Sequence, residues 1–141
     1  MGNVNIGRVI LGGLVAGLVV NLGEYVFNTF LYAQQNRDML AKLGLPDING
    51  QMVLWLVLLT FVMGIVLVWI YAAFRPRFGA GVKTAVCAGL TVWVLIVLLN
   101  VQLAVIGIST LGDLVLPSIW SLFEIPIATI AGAYLYQEAT A

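Results

Sequence analysis

The chain has 141 residues, 62% of them hydrophobic and only 9% charged, and its six basic and six acidic side chains cancel. Soluble domains carry about 25% charged residues, so an ordinary soluble surface is excluded, as is nucleic acid held on a basic patch by counterion release. With no histidine and a single cysteine, Cys87, the sequence also lacks the common ligand sets of haem, zinc and di-iron sites and the thiol pair of a disulfide relay; no cofactor or metal is expected.

A spanning helix needs about 20 mostly apolar residues, and four stretches meet that length: 9–31, 52–74, 84–108 and 114–136. In lipid every backbone polar group must be paired within its own segment, so runs this long are helices. Gly2 is followed by Ile6 where a myristoylation signal needs Ser or Thr. The first run, with Arg8 before it, is shaped like a signal peptide, but no small-x-small cleavage site closes it. It is read as a retained helix. Within it Asn21, Glu24 and Asn28 share one face at spacings of three and four. Gly13 and Gly17 extend that stripe with a small-xxx-small step that lets another helix approach.

The segment 34–50 is the one sizeable extramembrane piece. Its stretch Gln35–Leu43 is polar, with Met39, Leu40 and Leu43 on one helical face, Gly44 placed for a left-handed cap and Pro46 beyond it. A short amphipathic helix on the membrane surface is expected, with a lid or docking element as the alternative. The second span carries no charge, and Thr60 shares a face with Gly64 and Tyr71. Arg75, Pro76, Arg77, Phe78 and Gly79 then form a turn whose arginines are expected among lipid phosphates. In the third span Asn100 shares a face with Gly89, Trp93 and Ala104, and Cys87 reads as a small apolar filler. Asp113 suits the cap region of the fourth helix. That span is interrupted by Glu124, with Trp120, Ala128 and Ala131 on its face and Pro126 freeing the carbonyl of Leu122. Trp55, Trp69, Tyr71, Trp120 and Tyr136 are expected as interface anchors. Trp55, Trp69 and Tyr71 recur at one constant offset as Trp120, Tyr134 and Tyr136, a faint internal repeat.

Arg8, Arg75, Arg77 and Lys83 fall on one side of the membrane, against Arg37 and Lys42 on the other. The excess of Lys and Arg on cytoplasmic loops then places both termini in the cytoplasm. The expected fold is a single all-α domain, a four-transmembrane-helix bundle running up-down-up-down over residues 1–141.

Counting from the outer helix ends brings Glu24, Thr60, Asn100 and Glu124 to a similar depth, with no Lys or Arg among them. A carboxyl group inside a membrane defaults to a functional hypothesis. If Glu24 and Glu124 are close they titrate as a pair and can bind a cation or exchange a proton against a substrate. The structural alternative is that they only hold the helices in register through Asn21, Asn100, Thr60 or backbone groups; a third is contact with a partner subunit. Glu24, Glu124, Asn21, Asn28, Asn100 and Thr60 are thus the candidate ligand- or proton-binding residues, Gly13 and Gly17 the helix-packing ones. No catalytic residue is assigned. Transport, or binding of a small lipophilic or cationic ligand, is the leading expectation. An accessory or scaffolding subunit of a larger membrane complex is the alternative. A membrane enzyme acting on a lipid or quinone-like substrate ranks last, since two carboxylates are its whole support. The expected partner is the lipid bilayer, with a small ligand, a second copy or another membrane subunit left open.

The glycine-rich first helix ending near Asn21 and Glu24 resembles that of a family of small bacterial four-helix integral membrane proteins with no assigned activity. The likeness continues through Trp69, Ile70, Tyr71, Ala72, Ala73, Phe74, Arg75, Pro76, Arg77, Phe78, Gly79, Ala80 and Gly81 with Lys83, Thr84 and Ala85. It closes with Trp120, Glu124 and Gly132, Ala133, Tyr134, Leu135 and Tyr136. The resemblance implies the four-helix topology and a bacterial inner (cytoplasmic) membrane, and no mechanism. The residues around Glu24 do not match those of the small multidrug exporters, which also have four helices and a carboxylate in the first.

Overall fold

A computed structural model describes residues 4–138. The protein is an all-α integral membrane bundle in which four helices are long and apolar enough to cross a bilayer.

Helix α1 (Ile6–Val26) is capped by Asn5, whose side chain accepts the N–H of Arg8 at 3.2 Å. It runs on through one π-helical turn, Phe27–Leu31, closed by a bond from the Tyr32 N–H to the Phe27 carbonyl at 2.9 Å. The extra residue in that turn advances the side chains that follow, a distortion often found at functional sites. Helix α2 (Ala33–Lys42) is the short polar helix of the loop. It stops where the sequence places its stop. Gly44 takes φ +67°, and the N–H groups of Gly44 and Leu45 reach back to the carbonyls of Ala41 and Leu40.

Several boundaries differ from the sequence reading, three of them for identifiable reasons. Helix α3 (Gly50–Phe78) starts at an Asn49 cap and runs through Pro76, about one turn past residue 74. A proline near a helix end removes one bond that the last turn can spare. Helix α4 (Val82–Val105) ends before residue 108 because Gly107, at φ +86°, forms the same cap as Gly44, with the Ile108 N–H on the Leu103 carbonyl at 3.0 Å. Helix α5 (Leu111–Ala133) starts before residue 114 because Thr110 and Asp113 form a reciprocal capping box. Asp113 is therefore the third residue of that helix. Tyr134 and Tyr136 lie past its end.

The spans alternate in direction. Asn21 of α1 meets Val57 of α3, Gly12 meets Gly132 of α5, and Gly89 of α4 meets Pro126 of α5, each pair antiparallel. Helix α1 packs on α3 and α5, and α4 on α5 and α3; α3 and α5 also touch across the diagonal. Small residues make the crossings tight. A Cβ on Gly64 would overlap the backbone of Gly13 and Gly17, one on Gly17 would lie 2.8 Å from the Phe61 Cα, and one on Gly132 would lie 2.6 Å from the Gly12 carbonyl oxygen. Gly13 and Gly17 are thus used inside the chain, against α3.

Packing is very uneven along the bundle. In α3 the buried residues begin at Gly64, in α4 they stop at Val92, and in α5 they begin at Glu124. All lie in the half that carries Arg8, Arg75, Arg77 and Lys83, here called the basic end; the other half, the loop end, is splayed.

At the basic end Tyr71 and Tyr136 are buried, 4% and 5% exposed, so neither is the interface anchor expected. Their rings meet edge to face at 6.0 Å, and the Arg75 guanidinium lies 5.9 Å and 5.1 Å from the two ring centres. Arg75 also pairs with Glu138 at 3.5 Å. The guanidinium is folded onto the protein and not out among phosphates, because two aromatic faces and a carboxylate surround it. The Tyr136 hydroxyl accepts the Asn5 N–H at 3.4 Å, so the two ends of the described chain meet here.

Candidate functional site

Glu24 and Glu124 come together where the tight half gives way to the open one. Glu24 lies on α1 one turn before the π-helical turn, and Glu124 on α5 at the first buried position of that helix. Their carboxyl groups are brought together, with Glu124 Oε1 lying against Gly23, the residue before Glu24. Asn28, one turn on from Glu24, donates to Glu24 Oε2 at 2.7 Å and to the Glu24 carbonyl at 2.9 Å. Trp120, one turn before Glu124, donates its indole N–H to Glu124 Oε1 at 3.1 Å. Each carboxyl is therefore held by a donor four residues away on its own helix, and the pair faces itself across the α1–α5 crossing. Glu124 is 8% exposed.

Gly23 makes room for this arrangement. A Cβ there would overlap Glu124 Oε1 and lie 2.9 Å from its Cδ. Aromatic rings wall the pair on the loop-end side: Phe27 stacks on Trp120 at 5.4 Å and on Tyr32 at 5.2 Å. The Tyr32 hydroxyl donates to the Asp113 carbonyl at 3.1 Å. That carbonyl is free because the residue four further on is Pro117, which has no N–H to offer it. Tyr32 lies just past the first span; burial, then the Asp113 carboxylate, pushes its phenol above the ordinary value.

Two cavities reach Glu24. One, of about 350 Å³, lies among α1, α4 and α5 and is lined by Glu24, Tyr32, Asn100, Ser109, Asp113 and Ser121 among others. The other, of about 580 Å³, lies between α1 and α3. Its polar lining includes Asn21, Glu24, Asn28 and Thr60, against an apolar wall that includes Leu56, Val57 and Met63. Both volumes fall in the range of small-molecule sites. Residues of α2 and the position after it line both at the loop end, Met39 and Leu43 the first and Asn36 the second.

The remaining sequence candidates are not brought into one layer. Asn21 donates to the Gly17 carbonyl at 2.9 Å and to the Val57 carbonyl at 3.4 Å, tying α1 to α3. Thr60 donates to the Leu56 carbonyl at 2.9 Å and Asn100 to the Ile96 carbonyl at 2.9 Å, each within its own helix. The antiparallel pairing of Asn21 with Val57 puts Thr60 about 9 Å deeper than Glu24, and that of Gly89 with Pro126 puts Asn100 about 13 Å further out than Glu124. Counting from helix ends misleads because the ends are not level. Glu24 stands seven residues from Leu31, whereas its partner Glu124 stands thirteen from Leu111.

Sequence reasoning missed Gly23 and Tyr32, and it put Trp120 on the face of Glu124 but took it for an interface anchor, whereas it bonds Glu124 and stacks on Phe27. Trp120 was legible at four residues from Glu124, and Tyr32 through the carbonyl that Pro117 frees. Nothing in the sequence pairs Gly23 with α5. Among the described residues no group of three metal-ligating side chains converges. Comparison with protein-family models, curated proteins and solved structures gives no match.

Proposed function

We propose that the chain binds a small lipophilic cation in the open half of the bundle, with the Glu24–Glu124 pair as its counter-charge and the proton held by that pair as the ion it displaces. The observation that carries this reading is the pair itself: two carboxyl groups brought together inside the membrane-spanning bundle, with Glu24 reaching into two cavities. Two carboxyl groups brought together away from water hold a proton between them. A cation drawn to Glu24 replaces that proton's charge, and the apolar wall between α1 and α3 accommodates its hydrocarbon part. Alternating release to the two sides would make the same site a proton-coupled transporter. The excess of Lys and Arg at the basic end supports a cytoplasmic position for it and for both termini. The family resemblance of the sequence, part of the same proposal, supports a bacterial inner membrane.

The test is titration calorimetry of the protein in mild detergent with tetrabutylammonium, whose fixed charge can neither give nor take a proton. Run in two buffers of different ionisation heat, it is expected to show saturable binding with proton release. Glu24→Gln, which keeps the shape and the bond to Asn28, is expected to abolish both. Binding as strong as the native chain's in both Glu24→Gln and Glu124→Gln, or no saturable binding in the native chain, would refute the reading.

A further inference from the structure

We infer that the cavity among α1, α4 and α5 is a water-filled vestibule through which protons reach Glu24 from the loop end, separate from the groove between α1 and α3 that takes the ligand. The inference rests on the proton-exchange reading above and names the route of that exchange.

Both cavities are mainly apolar with polar groups set into their walls; they differ in which helices line them. The groove between α1 and α3 has an apolar wall from α3. The vestibule carries polar groups on all three of its helices and on the loop between α4 and α5: Glu24 at its floor, Asn100 on one wall, Ser121 and the Asp113 carbonyl on another, Ser109 near its mouth. Ser109 Oγ is buried and has no hydrogen-bond partner among the described residues. The hydroxyl itself is shielded, so the case for water rests on the space and on the polar groups that line it. At about 30 Å³ per water, 350 Å³ holds on the order of ten molecules. Asn100 and Ser121 bond carbonyls of their own helices with their donors, which leaves their oxygens as acceptors lining the space. Polar groups therefore line the space from Ser109 near the loop end down to Glu24. Below Glu124 the described residues pack more tightly, with glycines and alanines at the α1–α3, α1–α5 and α4–α5 crossings, and the cavity found there holds only about 70 Å³ and does not include Glu24 or Glu124 in its lining.

Cysteine accessibility tests this directly. In a Cys87→Ala background, Ser121→Cys and Asn100→Cys are placed in lipid nanodiscs and treated with a charged, membrane-impermeant methanethiosulfonate. Ile127→Cys, on the exposed lipid face of α5, is the reference. Thiols react as thiolates, which form in water and not in hydrocarbon, so both vestibule positions are expected to react at least about tenfold faster than the reference. Two slow positions in a protein with native circular dichroism would overturn the vestibule. If both are slow but tetrabutylammonium still releases a proton, the route falls and the proposed function stands. If both are fast and no proton is released, the route stands and the exchange reading falls.

Discussion

Replacing Gly64 by alanine should destabilise the bundle, although alanine is the better helix former. In a helix interior the exchange favours alanine by about 0.8–1.0 kcal/mol. Against that, a Cβ at Gly64 would overlap the Gly13 carbonyl oxygen and the Gly17 nitrogen and lie 2.8 Å from the Gly17 Cα. All three are backbone atoms of a helix, so no side chain can rotate out of the way. The helices must separate, and overpacking of this kind costs about 1–3 kcal/mol, here at the upper end. Separation also forfeits dispersion contacts along the whole α1–α3 seam, since a radial gap of 0.5–1 Å loses about a quarter to a half of each. The net expectation is a loss of about 1–2 kcal/mol. Gly50→Ala is the matched control: it lies in the same helix, and a Cβ there meets nothing within 4 Å. Unfolding by sodium dodecyl sulfate from mixed micelles, followed by tryptophan fluorescence, measures both. A Gly64→Ala protein at least as stable as the native chain would refute the account of the crossing, whatever Gly50→Ala does.

Trp120→Phe keeps an aromatic face on Phe27 but removes the donor to Glu124 Oε1. A loss of about 1 kcal/mol in the same unfolding assay is expected, with a weaker affinity for tetrabutylammonium because Glu124 is no longer oriented. Tyr32→Phe should cost about 0.5–1.5 kcal/mol, and less in a Pro117→Ala background, where the Asp113 carbonyl regains a helical donor; equal costs in the two backgrounds would show that the Tyr32 bond does not answer the proline. The Tyr32 phenol sits above its ordinary value in the folded protein. Its stabilising contribution is therefore whole below the unfolded value of about 10 and lost as pH rises past it, a loss that Tyr32→Phe should lack. At the basic end Tyr136→Ala should cost about 3–5 kcal/mol, whereas Glu138→Gln should cost under about 1 kcal/mol because the Arg75–Glu138 pair is partly exposed; a larger effect from Glu138→Gln would mean that charge, and not the stacked rings, secures the tail.

Composition and period were enough to read the four spans, the surface helix and its Gly44 cap, because bilayer thickness and backbone pairing leave few choices. The boundaries that shifted were also written in the sequence. Thr110 with Asp113 is a capping box, and Gly107 is a cap of the kind recognised at Gly44; apolar Ile108 drew the third span past its cap, while the charge of Asp113 pushed the start of the fourth beyond its own. The roles of Arg75, Tyr71 and Tyr136 were not legible. An arginine at a membrane edge looks the same whether it faces phosphate or two tyrosines, and only the return of residues 136–138 decides it. The face of helix 1 bearing Asn21, Glu24 and Asn28 was legible from spacing. That Glu24 meets Glu124, and that Asn100 and Thr60 stand well above and below them, depended on how far each helix projects, which no local pattern carries.

The position of the carboxyl pair follows from the same unevenness that makes the cavities. The basic half is closed by residues with little or no side chain, Gly12, Gly13, Ala16 and Gly17 against Gly64, Val68 and Gly132, and such surfaces have few ways to rearrange. The loop half has no buried residue in α3 before Gly64 or in α4 after Val92. Its helices are joined at their ends by Tyr32 on Asp113 and by α2, which packs chiefly on the π-helical turn. Low local packing is where proteins open most cheaply. Opening this half would break the Tyr32 bond and part α1 from α5 above Gly23, which is where Glu24 meets Glu124. The carboxyl pair thus stands on the boundary between a tightly and a loosely packed region, so a ligand that alters the pair's protonation bears directly on a contact whose geometry opening would change.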